Sequence, residues 1–526
     1  MTNRMHPGIL QRYILLVCLL AAVVQLSAQE VLSEKKVSIS ARNKQVQQLL
    51  EEMSLQTGYF FTYNTSLIPS REKVSFHVEN LSLNKALDSL LNDPSLGYRV
   101  IDRNIVLYRK NEVIRTNIPA DSLPPVIYLT GSVSDLRSGK ALPYATVALV
   151  GSPLGTISNL TGDFTLKIPS EIVDPILVFS FIGYKNVYLP VSLPPGERIK
   201  VSMERDIISL QEVIIRYQDP VILLHEAVRR ISQNYIGQPS QMTGFYREAV
   251  QRNSKYMLFS EAVLDIAKCP YAPFAGADRT RIFKGRKIIN VSIEDTVLIK
   301  ISSGISTSLQ LDIVKNLPDF LSGSFEERYY FEFSDIVTFG NKLAYEISFR
   351  QKENIQETLY TGKIYLDQYS LAIVAADFEL DPLRIGREQN MFVLKKSRSV
   401  HIRPISATYH VEYRESDGKY YFGQARGEVR FKLRKKREWI SSNYSILIEL
   451  AITNMIPGRN PQFKAGEVVR PRTILSEEEF EYDPGFWGDY NTIVPEVSLQ
   501  EALRLIGKQL RELQEDDSGE YLPSEE

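Results

Sequence analysis

The sequence predicts a multidomain, mainly β protein: a small α/β domain, a β-sandwich, then a large antiparallel curved sheet or incomplete barrel with a few helices. Three observations lead there. Twenty-eight Tyr and 23 Phe stand against only two Trp in 526 residues, and with Val, Ile and Thr they tilt the composition toward sheet. Between Tyr128 and Ile215, short apolar-alternating runs are broken by Gly, Pro, Asn or Asp at each reversal, as antiparallel strands and tight turns require. Beyond residue 218 the alternating runs lengthen and helical periodicity becomes rare.

The length suits three or four domains of roughly 100–200 residues. A hydrophobic content of 44%, a charged content of 24% and a formal charge of −1 describe folded material with no electrostatic footprint for nucleic acid. Residues 1–28 read as a signal peptide. Arg4 and Arg12 precede the apolar run Ile14–Val24, and Leu26-Ser27-Ala28 supplies the small residue before a cut at Gln29. Cys18 sits mid-run behind Val17, which does not suit a lipoprotein. Cleavage leaves Cys269 alone, so no internal disulfide is expected and stability must come from burial. No later apolar stretch approaches the roughly 20 residues of a spanning helix.

Residues 33–112 form the α/β domain. Val37–Ser40 alternates as a strand, Asn43 is placed to cap a helix on Val46, Leu49, Leu50 and Met53, and Gly58 ends it. Strands follow at Tyr59–Tyr63 and Val74–Val78. A second helix lies on Ala86, Leu87, Leu90 and Leu91, before paired strands at Tyr98–Ile101 and Ile105–Tyr108. The run Val74–Leu91, with Phe76, Val78, Leu81, Leu83, Ala86, Leu87, Leu90 and Leu91 in place, resembles the secretin and TonB N-terminal short domain. The resemblance covers roughly Val37–Arg109. It implies a periplasm-facing domain that makes protein–protein contacts, often with a regulatory partner across the inner membrane, and no catalysis. His77, on a strand among apolar residues, reads as structural. Residues 113–126 are a Pro-rich, extended linker.

Residues 127–217 are the sandwich. Gly131-x-Val133-x-Asp135, Gly139-x-x-Leu142-Pro143-x-Ala145-x-Val147, Gly155-Thr156 and Thr161-Gly162-Asp163-Phe164 resemble the carboxypeptidase regulatory-like domain. That resemblance implies a transthyretin-like fold, accessory to peptidases and without zinc ligands. Asp135 and Gly139 belong to turns, Pro143 holds Leu142 extended, and Gly162 permits a reversal that sends Phe164 to the core. His225-Glu226-Ala227-Val228-Arg229 approaches a zinc helix, but its second imidazole position is Arg229. Leu210-Gln211-Glu212-Val213-Ile214-Ile215 resembles the segment near the TonB box of TonB-dependent receptors. Leu210, Glu212, Val213 and Ile214 are therefore a candidate strand for a partner's sheet edge; the alternative is a last strand pairing internally. About 310 of the 526 residues follow Ile215, too few for a plug and a large transmembrane barrel.

Residues 218–490 are the C-terminal β-rich domain. Asp219-Pro220 starts a helix, Thr243–Val250 and Tyr256–Ala267 form a hairpin, and a helix-like break falls at Leu309–Leu317. Leu343, Tyr345, Ile347 and Phe349 alternate, as do Ala407, Tyr409, Val411 and Tyr413. Gly362–Asp367 followed by Leu371–Val374 resembles the repeated hairpin of periplasmic lipoprotein-carrier folds. It implies a concave face open to acyl chains or an unfolded strand; a closed core is the equal alternative. Trp487 and Tyr490 are candidate aromatics for plugging the sheet or stacking a ligand. Arg434, Lys435, Lys436 and Arg437 are a solvated charge run or a contact for anionic headgroups. Residues 491–526 read as a helix on Leu499, Ala502, Leu503 and Ile506, then an acidic tail.

No catalytic, metal or cofactor motif is legible, and no cofactor is expected. The sequence points to a non-enzymatic binding or interaction protein of the cell envelope, in the periplasm or on the periplasmic face of the outer membrane. Its C-terminal sheet would take a lipid, a peptide or an envelope protein. The alternatives are an accessory of a TonB-dependent transport or signalling system, and a hydrolase with a dispersed site. A deep cleft with clustered carboxylates, or His401 and His410 in mutual reach, would favour the hydrolase.

Overall fold

The computed structural model describes residues 35–62, 73–93, 96–101, 104–109, 126–191, 197–208, 219–272, 275–289, 304–387, 400–435, 440–471, 473, 475, 478 and 490–495. The chain divides into two compact units, residues 1–123 with 172–177 and 187–194, and residues 124–171, 178–186 and 195–526.

In the first unit, β1 (Lys36–Gln45) leads into the helix Val46–Thr57, which is followed by β2 (Phe60–Thr62) and β3 (Lys73–Ser82). The helix Leu83–Leu91, β4 (Leu96–Ile101) and β5 (Asn104–Arg109) complete it. β1 pairs antiparallel with β3, while β5 lies between β2 and β4. The helical stripe predicted from the sequence is the core: Leu49, Leu50 and Met53 are buried with Leu83, Ala86, Leu87 and Phe76. Two expectations are corrected. Asn43 does not cap the first helix; it adopts φ +55 at a register shift in β1, and Gln45 is the cap, with Gln48 three residues on. His77 lies on the outward face of β3 and is exposed, because β3 buries Phe76 on the alternate face.

The sandwich strands are β6 (Val126–Asp135), β7 (Thr146–Leu149), β8 (Gly155–Ile157) and β9 (Asp163–Pro169). β10 (Ile176–Ser180), β11 (Val187–Pro190) and β12 (Arg198–Met203) follow in the chain. β6 is central to one sheet, parallel to β12 and antiparallel to β9, and β10, β7 and β8 are neighbours in the other. The turn residues act as the sequence suggests. Asp135 accepts from the Ser138 amide at 2.6 Å and its hydroxyl at 2.7 Å, from the Tyr184 hydroxyl at 2.9 Å and from Arg205 at 3.2 Å. Those donors, Ser138 foremost, hold the carboxyl far below its ordinary pKa. Gly162 adopts φ +78 with the Val133 carbonyl 2.4 Å from where a Cβ would sit, so no side chain fits that reversal. It delivers Phe164 to the core, edge-on to Phe179.

The remainder of the second unit is built on an eleven-stranded sheet. Its strands are β13 (Ile207–Ile208), β14 (Ser240–Arg252), β15 (Lys255–Lys268), β16 (Arg279–Ile289), β17 (Tyr329–Phe339) and β18 (Lys342–Gln351). The others are β19 (Tyr360–Asp367), β20 (Ile373–Leu380), β21 (Val400–Ser416), β22 (Lys419–Lys435) and β23 (Ser442–Pro457). The order is β13-β17-β18-β19-β20-β21-β22-β23-β14-β15-β16, antiparallel throughout, and the two outer strands do not join, so the sheet is open. The expected hairpin of β14 and β15 turns through Asn253 and Ser254 alone, both at positive φ, the geometry that matches strand twist in a two-residue loop.

The register sorts the two faces. One cross-strand row runs Ala262, Tyr246, Leu450, Ala425, Val411, Ala376, Ile364 and Ile347. The next row, on the opposite face, runs Arg286, Glu261, Arg247, Glu449, Arg426, His410, Asp377, Lys363, Ser348 and Glu332. One residue separates apolar from charged because successive strand side chains point to opposite faces. The sandwich rests on the charged face. Thr146 donates to Glu412 at 2.9 Å, Gln424 donates to the Tyr144 carbonyl at 3.3 Å, and Ile157 packs with Phe245, Ala451 and Ile493. The Asn491 side chain bonds the Lys167 backbone at 2.6 and 3.1 Å, lacing the segment 490–495 to β9.

Candidate functional site

The apolar face is covered by the helices Pro220–Arg229, Ile231–Asn234, Gly304–Gln310 and Phe325–Arg328 and the turns between the last two. Asp219 caps the first helix, accepting from the Val221 amide at 2.9 Å with Pro220 at the first position, and the helix buries Leu223, Leu224 and Ala227. Phe320, Leu321 and Phe325 are buried on the sheet in one core with Phe349, Ile364 and Phe378. The middle of this face is therefore closed core rather than an empty groove. Space remains at one side. A cavity of about 930 Å³ lies between the helices Pro220–Arg229 and Gly304–Gln310 and the start of β16. Val228, Ile231, Ile305, Leu309, Val314 and Leu317 give it aliphatic walls, and Asp278, Thr280 and Lys315 a polar end. Thr280 is 4% exposed, and its hydroxyl has no hydrogen-bond partner among the described residues.

Behind that polar end lies a buried ion network. Lys268 Nζ contacts Asp312 at 2.6 Å and Asp278 at 2.7 Å, and Lys315 also pairs with Asp278. Tyr271 and Tyr413 donate to the two Asp312 oxygens at 2.7 and 2.8 Å, and the Val314 amide donates to the Tyr413 hydroxyl at 3.0 Å. Burial works against the Lys268 ammonium, but Asp312 and Asp278 outweigh it and raise its pKa. Burial likewise opposes ionised Asp278, yet the two lysines hold its pKa below the ordinary value. Asp312 belongs to the cover and Lys268 to β15, so this network fastens the cavity's roof to its floor.

The charged face divides in two. Beneath the sandwich Arg247 lies between Glu261 at 2.7 Å and Glu449 at 3.3 Å, with side chains only 1–3% exposed, and donates to the Ile493 carbonyl at 2.6 Å. Beyond it the row emerges into a groove of about 620 Å³ lined by Arg426, His410, Asp377, Lys363, Ser348 and Glu332, among others. His410 Nδ1 stands 2.7 Å from Asp377, which also accepts from the Tyr365 hydroxyl at 3.1 Å. Burial disfavours the imidazolium, but Asp377, with help from Glu412, pushes the pKa up to about 10. Asp377 is lowered, its own burial being outweighed by His410. At neutral pH the imidazole therefore holds its proton and has no free lone pair with which to act as a general base. The pair's contribution to stability is present in full between about pH 4 and 6.5, the ordinary carboxylate and imidazole values. It fades as pH rises from there toward 10, and again as pH falls below 4. Urea unfolding across pH should show the alkaline loss in the native protein and lose it in His410→Gln. An unchanged alkaline limb in the variant would refute the pairing.

The residues singled out in the sequence fare differently. Leu210, Glu212, Val213, Ile214, Trp487, Lys436 and Arg437 lie outside the described residues. Tyr490 packs on Phe283 of β16, ring centroids 5.3 Å apart. Arg434 is exposed on β22 opposite His401, and Lys435 closes the strand. His225 stacks on Phe325 at 4.5 Å and faces Glu326 at 3.4 Å, while Glu226 pairs with Arg229 and Arg230. His401 and His410 share β21, nine residues or roughly 30 Å of extended chain apart, so they do not converge. Among the described residues no His, Cys, Asp and Glu side chains gather in threes as metal ligands do. Lys268, Asp312, Arg247 and Glu261 carry no motif and were not foreseen from the sequence. The available signal was a charge inside an apolar run, as in Phe245-Tyr246-Arg247-Glu248 and Ser260-Glu261-Ala262-Val263.

Residues 129–215 match the family model of the CarboxypepD_reg-like domain, so the sandwich is a carboxypeptidase regulatory-like domain. No curated protein matches the chain. Among solved structures, a DUF1329 family protein from Desulfovibrio piger is 13% identical over 47% of this chain and 96% of that one, with a TM-score of 0.21. A structure of lipovitellin is 8% identical over 44% of this chain and 27% of its own, at 0.22. A membrane-associated protein of unknown function from Bacteroides fragilis is 10% identical over 63% and 98%, at 0.13. No helix among the described residues is long and apolar enough to cross a membrane.

Proposed function

We propose that this chain is a non-enzymatic binding protein of the cell envelope, exported on residues 1–28, that holds a small apolar ligand under the helical cover of its large sheet. The observation that carries the reading is the cavity of about 930 Å³, whose walls are largely aliphatic and whose polar lining includes Asp278, Thr280 and Lys315. Ligand sites are concave, mostly apolar, and about 300–1,000 Å³, with a few convergent polar groups. The sandwich, which matches the CarboxypepD_reg-like domain, would make contacts with other envelope proteins, including as an accessory of a TonB-dependent system.

The test uses N-phenyl-1-naphthylamine, whose fluorescence rises in apolar sites. The mature protein should enhance it saturably at one probe per chain. Leu309→Trp, which projects an indole into the cavity, should remove that enhancement while the unfolding midpoint stays near native. A signal absent from the native protein, or unchanged in Leu309→Trp and in the second filler Leu317→Trp, refutes the cavity as the site.

A further inference from the structure

We infer that the ligand of this cavity is a single-chain acyl amphiphile with an anionic, oxygen-accepting head, a long-chain carboxylate being the simplest case. The inference rests on the cavity reading above. Its basis is the chemistry of the polar end. Asp278 lies just before β16 and Thr280 is the second residue of that strand, and both line the cavity. Asp278 already spends its oxygens on Lys268, Lys315 and the Cys269 amide. Three of its roughly four acceptor sites are thereby filled, and its charge is offset by the two lysines.

Donors, by contrast, remain. The Thr280 hydroxyl is buried with no partner among the described residues, and a buried polar group left unpaired costs enough that such atoms ordinarily have a partner. Lys315 carries three N–H bonds. Asp278 and the Cys269 carbonyl, at 3.4 Å, account for two of them. A carboxylate entering here would accept from Thr280 Oγ1 and from the third Lys315 proton, both of which line this cavity. The two lysines are offset by Asp278 and Asp312, so the end itself is neutral. Arg229, which lines the same cavity and is 73% exposed, shares Glu226 with Arg230, so this cluster adds one net positive charge toward solvent. Behind the head, Val228, Ile231, Ile305, Leu309, Val314 and Leu317 offer only hydrocarbon. A peptide strand would bring a backbone N–H at nearly every residue, more donors than the scattered polar side chains Ser232, Ser306, Gln310 and Asn316 of this lining could accept. A phosphate would ask for more donors than one hydroxyl and one ammonium proton supply.

The experiment is displacement of bound N-phenyl-1-naphthylamine from the full mature chain by palmitate, hexadecan-1-ol and hexadecane. Palmitate should displace at least about tenfold more tightly than hexadecan-1-ol, since a hydrogen bond to a charged group is worth roughly that factor. Thr280→Val, near in shape, should weaken palmitate about two- to tenfold and leave hexadecane unchanged. Lys315→Met should erase most of the preference for palmitate over the alcohol. Because Lys315→Met also disturbs the ion network, Thr280→Val with an unfolding midpoint near native is the deciding variant if the former fails to fold. Equal displacement by all three compounds, with Thr280→Val like the native protein, overturns the anionic head but leaves an apolar cavity standing. Probe binding with no displacement by palmitate overturns the acyl class, and no probe binding overturns the cavity reading itself.

Discussion

Replacing Asp312 by Ala should destabilise the second unit by about 3–5 kcal/mol, the usual cost of removing one partner from a buried charge network. The variant strands the Lys268 ammonium, which is 3% exposed, and takes the acceptor from Tyr271 and Tyr413. It also frees the roof of the cavity from its floor, so probe binding should weaken with stability. Lys268→Met should be similarly costly, and the two together should cost less than their sum because each removes the other's reason to be charged. Lys268 has a raised pKa, so its contribution is present below the ordinary lysine value of about 10.4 and is lost above it. Asp278 is lowered, so its contribution is present above about pH 3.9 and is lost as pH falls further. Urea unfolding of the two single variants and the double variant separates the outcomes. Additive effects, or a loss below about 1 kcal/mol for Asp312→Ala, would mean that the contacts are not a coupled network.

Arg247→Ala should cost about 3 kcal/mol, the low end for a buried network losing one partner, since Glu261 and Glu449 lose their shared cation but keep Arg286 at 2.6 Å and Arg426 at 3.8 Å. The apolar replacement Arg247→Met with Glu261→Leu and Glu449→Leu should cost far less than that single change. Taking charges out of water is expensive, so an apolar trio of similar volume loses little stability. What the trio should lose is register. The charged row and the apolar row differ by one residue along every strand, and a slip by one would put Arg247 into the apolar core and Tyr246 against the sandwich. Hydrogen exchange along β14 and β23 reads this directly. The triple variant should show exchange spread across the strands despite its near-native stability. Native protection in the triple variant would show that the turns alone fix the register.

Much of the fold was legible because its information is local. Asp135, Gly139 and Gly162 announce turns through their own backbone preferences, and the structure finds them in those turns. The helical stripe Leu49, Leu50 and Met53 and the alternation at Leu343–Phe349 reveal which side of each element is apolar. Asn43 misled because Asn suits both a helix cap and the positive-φ position of a bulge, and only the pairing of β1 with β3 selects between them. His77 misled because its neighbours in the chain are apolar while its own side of the strand faces outward. The site was barely legible. Thr280, Lys315 and Val228 are separated by tens of residues, and nothing in any one stretch marks them as neighbours.

The mainly β architecture, the sandwich with its turn residues and the lone cysteine beyond residue 28 are all properties of the chain read as a string. They follow from composition, from period and from the positions of two cysteines. Which strands neighbour one another is a property of the folded molecule, and with it the row of Arg286, Glu261, Arg247, Glu449 and Arg426. Folding also closes the middle of the apolar face with Phe320 and Phe325 and leaves a cavity beside it. The physical reason is range. A strand's alternation is set by its own pleat, whereas a row across ten strands is set by hydrogen-bond register between segments up to two hundred residues apart, as Arg247 and Glu449 are.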